Sequence, residues 1–136
     1  VRIRSLFGGL IAMLTMTAGM VFVAPAASAA SLDCLPDWGS GDLTVGCSYN
    51  GTYRGAGSFF QQEPEFISAC DGKADGRKLT THLEYWKSGS RIHRTVTDSY
   101  GGECAIKFDG IVNGTKVWLW LCVEGIGCGQ KYASYA

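Results

Sequence analysis

From Leu79 to Trp86 the chain alternates: Leu79, Thr81, Leu83 and Tyr85 fall on one side, Thr80, His82, Glu84 and Trp86 on the other. A two-residue period is the mark of a strand with one face turned to a core. Lys87-Ser88-Gly89-Ser90 then reads as a hairpin turn into Arg91-Ile92-His93-Arg94-Thr95-Val96, where Ile92 and Val96 share a face and Arg94 stands between them against the pattern. A further strand, Thr115 to Val123, sends Val117, Leu119 and Leu121 inward and Trp118, Trp120 and Cys122 the other way. Apolar on both faces, it is either central in a sheet or beside a binding surface. Weaker strands are predicted near Leu43 to Tyr49, Ser58 to Phe60, Phe66 to Cys70, Cys104 to Phe108 and Gln130 to Tyr135. No stretch holds a helical period over three turns. Short strands at this spacing predict an all-β fold, an antiparallel β-sandwich or small barrel.

The N-terminus reads as an export signal. Arg2 and Arg4 form its charged start, Leu6 to about Val23 its apolar run, and Ala27-Ser28-Ala29 its small-residue cleavage site. Residues 1–29 are therefore expected to be a signal peptide and 30–136 a single secreted β domain, with 30–57 as a loosely structured N-terminal part. Val1 in place of methionine fits a bacterial gene with an alternative start codon. After cleavage no membrane segment is expected.

All six cysteines, Cys34, Cys47, Cys70, Cys104, Cys122 and Cys128, follow the signal, so the expected chain is oxidised outside the cytoplasm. Six cysteines allow fifteen pairings, and spacing alone does not choose among them. Geometry favours Cys122 with Cys128, which lie symmetrically about Gly125 and would face each other across a tight hairpin end. Cys34 with Cys47 would close the Gly-rich N-terminal segment, and Cys70 with Cys104 would tie the ends of the central strands. Metal binding is not expected: there is no Cys-x-x-Cys pair, and neither His82 nor His93 stands in ligand register with a cysteine. Asp71, Asp75 and Gly76 resemble half of a calcium loop, yet Lys73 occupies a position that needs an oxygen ligand, and a tight turn accounts for them better.

Removing Arg2 and Arg4 leaves ten basic against twelve acidic residues, a balance that excludes bulk nucleic-acid binding. Asn50-Gly51-Thr52 and Asn113-Gly114-Thr115 match the glycosylation acceptor, but Asn-Gly already suits a type I′ turn. No Gly-x-Ser-x-Gly elbow accompanies the histidines, which are expected to be solvent-facing strand residues, and the carboxylates are scattered. No catalytic residue and no cofactor are expected. The rings carry more information. Trp86, Trp118 and Trp120 are the candidate binding residues if they face outward, and a second core layer if they do not.

From Phe66 onward the chain resembles a group of small secreted actinobacterial proteins without assigned activity. The resemblance rests on Phe66-Ile67-Ser68-Ala69-Cys70-Asp71 followed by Ala74-Asp75-Gly76, a strand hairpin, a mid-chain Cys104, and a terminal strand carrying Cys122 with Cys128 close behind. It implies a compact β domain with four shared cysteines, Cys70, Cys104, Cys122 and Cys128, and no catalytic residues. Cys34 and Cys47 are additional in this chain.

The expected function is thus a secreted, disulfide-stabilised, non-enzymatic interaction module for an extracellular protein or a cell-envelope glycan. Alternatives are an inhibitor of an extracellular hydrolase, presenting Glu124-Gly125-Ile126 or Lys73 to Lys78, a toxin-associated adaptor, or a small secreted enzyme.

Overall fold

The structure is a computed structural model that describes residues 31–39 and 41–136; the signal read on residues 1–29 lies outside them. Ten strands and no helix occur among the described residues. They are β1 (Asp33–Gly39), β2 (Asp42–Tyr49), β3 (Thr52–Phe60), β4 (Phe66–Asp71), β5 (Leu79–Lys87), β6 (Ser90–Asp98), β7 (Ala105–Phe108), β8 (Lys116–Val123), β9 (Gly127–Cys128) and β10 (Tyr132–Tyr135). One sheet has the order β1-β2-β3-β4-β7, and the other β10-β8-β5-β6 with β9 beside β8. Every pairing is antiparallel. The sheets do not close on each other, so the fold is a sandwich rather than a barrel.

Turn chemistry sets the hairpins. Asn50 and Gly51 take φ of 50° and 72°, and Ser88 and Gly89 take 50° and 78°, the two positive values that a two-residue type I′ connection requires. At Asn113-Gly114 only the glycine has positive φ, and Thr115 N–H donates to the Val112 carbonyl at 3.0 Å. That is the geometry of a type II turn, so the I′ expectation is corrected there.

The N-terminal segment also departs from expectation. The described residues within 30–57 are not loosely structured: β1, β2 and most of β3 lie among them and pair along continuous registers, broken only by a bulge between Cys47 and Ser48. The reason is visible in the packing. Gly46, Ala56 and Gly57 weaken the apolar alternation of the sequence, but Leu43, Val45, Cys47 and Phe59 between them are wholly buried. At Gly57 an added Cβ would collide with the Thr81 hydroxyl and the Leu121 side chain, so the missing side chain is what lets the sheets approach.

The core lies between the layers. Leu43, Val45, Phe59 and Ile67 of the first sheet meet Leu79, Leu83, Val117, Leu119 and Leu121 of the second, all wholly or almost wholly buried. Thr81, buried among them, donates its hydroxyl to the Ser68 carbonyl at 2.8 Å, so the polar atom is satisfied across the sandwich. Arg94, the residue that breaks the β6 pattern, is explained by Asp109. Its Nε donates to Asp109 Oδ2 at 3.1 Å, and the Tyr85 hydroxyl donates to the same oxygen at 3.0 Å. Burial and the neighbouring Asp109 raise the Tyr85 phenol above its ordinary value, against the pull of Arg94.

Three disulfides join Cys34 to Cys47, Cys70 to Cys104 and Cys122 to Cys128, with Cα atoms 4.1, 4.5 and 3.9 Å apart. Cys34 and Cys122 are the register partners of Cys47 and Cys128, and Cys70 with Cys104 extends the β4–β7 ladder one step beyond Ala69 and Ala105. Each staple therefore joins neighbouring chain segments on one layer. None crosses from sheet to sheet.

The Cys-Asp-x-x-Ala-Asp-Gly stretch carries the chain from β4 to β5, that is, between the layers. Asp71 accepts from the amides of Lys73 and Tyr100 at 3.0 Å each, and Asp75 from the Arg77 amide at 3.1 Å. Asp75 also pairs with the guanidinium of the buried Arg54. Burial opposes ionisation of Asp75, but the Arg77 amide and the Arg54 guanidinium outweigh it and hold the carboxyl below its ordinary value. These carboxylates are occupied by turn amides and an arginine, which makes the stretch a crossing turn rather than a calcium loop.

Candidate binding face

Alternation along β5, β6 and β8 puts Thr80, His82, Glu84 and Trp86, Arg91, His93, Thr95 and Thr97, and Lys116, Trp118, Trp120 and Cys122 on the side of the second sheet away from the core. All three tryptophans singled out in the sequence lie on that outer face. Trp86 is 56% exposed, and Trp118 and Trp120 are half-buried. None belongs to the core between the layers.

The register orders these side chains into rows. His82 is opposite Trp120 on β8 and Thr95 on β6, and Glu84 is opposite Trp118 and His93. His93 lies diagonal to His82, and the two imidazoles meet: Nδ1 of His82 is 3.0 Å from Nε2 of His93, with ring planes 11° apart. One ring donates and the other accepts, so a single proton is held between them. Trp120 lies parallel to both, with centroids 5.0 Å from His82 and 5.4 Å from His93. Burial first, then the positive neighbours His93 and Lys131, hold His82 below the ordinary imidazole value. Both histidines lie on the outer strand face, as the sequence led one to expect, and there they are partners.

Cations frame the rings. Lys131 Nζ is 4.2 Å from the Trp120 centroid and 3.4 Å from Glu84 Oε1, and Arg91 approaches Glu84 Oε2 at 3.7 Å. Lys116 Nζ is 5.4 Å from the Trp118 centroid. Trp120 thus already has three partners within the protein, whereas Trp86, 56% exposed, keeps more than half of its surface open to a partner.

Toward the β8–β9 hairpin the face dips into a shallow depression of about 620 Å³, lined among others by Thr80, Thr97, His82, Ile126 and the Cys122–Cys128 disulfide. Its far rim is rigid. Arg77 Nη1 donates to the Glu124 carbonyl at 3.2 Å, Lys78 N–H to Glu124 Oε2 at 3.3 Å, and Glu124 N–H to the Lys78 carbonyl at 2.9 Å. The two loops that the sequence offers to an inhibited enzyme, Lys73 to Lys78 and Glu124 to Ile126, therefore brace each other.

The hydrogen bond of each histidine goes to the other histidine, and Glu84 is engaged by two cations. Among the described residues no group of three or more His, Cys, Asp or Glu side chains is arranged to hold a metal ion, and no helix is long and apolar enough to cross a membrane. The chain matches no protein-family model, no curated protein and no solved structure.

Proposed function

We propose that this chain is an exported, non-enzymatic binding module that holds an extracellular partner on the outer face of the second sheet. The observation that carries the reading is the gathering of Trp86, Trp118 and Trp120 on one outward surface whose ionisable groups are tied to one another rather than disposed around a cleft. Strand-mounted rings offer large contact area at low conformational cost, and the Cys122–Cys128 disulfide ties β8 to β9 within the platform sheet. The cysteine usage and the resemblance of the stretch after Phe66 to small secreted actinobacterial proteins support the export part of the reading.

The test is retention of the oxidised protein on a cell-envelope and culture-medium fraction, compared with Trp86→Ala and Trp118→Ala. Loss of retention in both variants supports the reading, and retention equal to the parent protein removes it.

A second reading, inhibition of an extracellular hydrolase, draws on the mutual bracing of the Lys73–Lys78 and Glu124–Ile126 loops, since a preorganised loop binds at lower entropic cost. Stoichiometric inhibition within a panel of proteases and glycosidases would favour it.

A further inference from the structure

The end of the outer face near the β5–β6 turn carries a pattern of its own. Trp86 is the register partner of Arg91, the β5–β8 ladder continued one step past Tyr85 and Val117 brings Trp86 opposite Lys116, and Lys116 is the partner of Tyr135 on β10. Across four adjacent strands the row therefore reads arginine, tryptophan, lysine, tyrosine. Neighbouring strands are about 4.8 Å apart, so the row spans roughly 14 Å. Trp86 and Tyr135 are 56% and 55% exposed. Behind them stands the half-buried Trp118, flanked by its register partners Glu84 and the small Ala133, with Lys116 Nζ 5.4 Å from its ring centroid.

The charge of this face is opposite to that of the chain. The outer positions of β5, β6, β8 and β10, with Lys131 ahead of β10, hold Arg91, Lys116 and Lys131 against the single carboxylate of Glu84, whereas the described residues as a whole carry two more acidic than basic groups. A locally cationic surface on an acidic protein selects an anionic partner.

From this alternation of rings and cations we infer that the row Arg91–Trp86–Lys116–Tyr135, with Trp118 behind it, binds an acidic polysaccharide, the sugar faces on the rings and the carboxylate groups on Lys116 and Arg91. The inference rests on the binding-face reading above and specifies its ligand. Each feature fits that class. A pyranose ring has an apolar C–H face that matches an indole or phenol, and its hydroxyls need both donors and acceptors, which Arg91, His93 and Glu84 supply on the same surface. The rings are mounted on strands of one sheet face, with Glu84 among them. A lipid surface would instead call for apolar side chains projecting beyond the polar ones, and would be repelled by that carboxylate.

The experiment uses the purified, oxidised protein with polygalacturonate as the acidic polymer, a neutral galactan of similar length, and vesicles of phosphatidylglycerol. Affinity electrophoresis and tryptophan fluorescence titration both read binding. Expected is retardation by polygalacturonate and not by galactan, weakened about tenfold or more in Trp86→Ala and in Lys116→Glu, and weakened by added salt. Both substituted residues lie at the surface, and Tyr100→Ala, an exposed ring on a distant loop, keeps the parent affinity. Absence of retardation by the acidic polymer overturns the inference, as does equal retardation of the parent, Trp86→Ala and Lys116→Glu proteins, or binding to the vesicles alone. If the acidic polymer fails while retention on the envelope fraction still depends on Trp86 and Trp118, only the ligand class falls. If that retention is independent of them, the binding-face reading falls as well.

Discussion

Gly57 and Thr81 face each other across the sandwich at a spacing that leaves no room for a Cβ on the glycine. The Thr81 hydroxyl uses the gap to reach the Ser68 carbonyl at 2.8 Å. Gly57→Ala is therefore expected to force the layers apart and destabilise the fold by about 1–3 kcal/mol, the usual cost of overpacking. Thr81→Val, which keeps the shape and removes the hydrogen bond, should cost about 1 kcal/mol. Urea unfolding of the oxidised proteins checks both, and a Gly57→Ala midpoint equal to that of the parent would contradict the close approach.

The disulfides close loops of different length, with sequence separations of 13, 34 and 6 residues. On chain entropy, replacing both cysteines by serine should cost roughly 4 kcal/mol for Cys70/Cys104, 3 kcal/mol for Cys34/Cys47 and 2 kcal/mol for Cys122/Cys128. The order of the three unfolding midpoints is the measurement, and the reverse order would sink the entropic account.

The imidazole pair predicts a pH dependence. Folded His82 holds its proton less tightly than the ordinary value of 6.5, so below that pH the unfolded chain takes up protons first and stability declines as pH falls. Above it the contribution is fully present. Protonating both rings would also place two N–H groups against each other where one proton now lies, with Lys131 and Arg91 adding positive charge and only Glu84 opposing it. Chemical denaturation between pH 7 and pH 5 should show this loss, and His82→Asn should flatten it.

Asp75 has the opposite sign. Its carboxyl lies below the ordinary 3.8 in the folded protein, so its stabilisation is present above that pH and is lost as pH falls through the lowered folded value. Asp75→Asn should remove the acid-side loss and leave the guanidinium of Arg54, which is buried, without its partner. The readout is the acid-unfolding midpoint of the variant against that of Asp33→Asn, an exposed carboxylate in β1.

Iodide should quench tryptophan emission substantially; Trp86→Phe should remove one accessible share of it and Trp38→Phe the other, since these two indoles are 56% and 59% exposed. A blue-shifted emission that iodide leaves unchanged would put the rings inside the protein.

Much of the second sheet could be read from residue order. The two-residue turn at Ser88-Gly89 fixes the β5–β6 register, and with it the common face of His82 and His93; only the step from a shared face to a diagonal contact was missed. The pairing of β5 with β8 was hidden because some thirty residues separate them, and nothing local says that Trp120 must settle opposite His82. Arg94 looked misplaced because Asp109, its partner, follows β7. In the first sheet, Gly46, Ala56 and Gly57 act by being small, and smallness leaves no mark in an apolar pattern. Three tryptophans were legible as a group, but whether they faced in or out depended on which side of β8 met the other layer.

Because every covalent cross-link ties one strand to its neighbour and none ties layer to layer, the protein has the mechanics of a book with stiff covers and an unglued spine. Tension applied along a cover meets sulfur. Tension that slides one cover over the other meets no sulfur, only interleaved side chains and hydrogen bonds that involve side chains, among them Thr81–Ser68, Tyr132–Cys34, Trp38–Ala133, Asp71–Asp98 and Arg94–Asp109, so shear between the sheets is the direction in which this molecule yields.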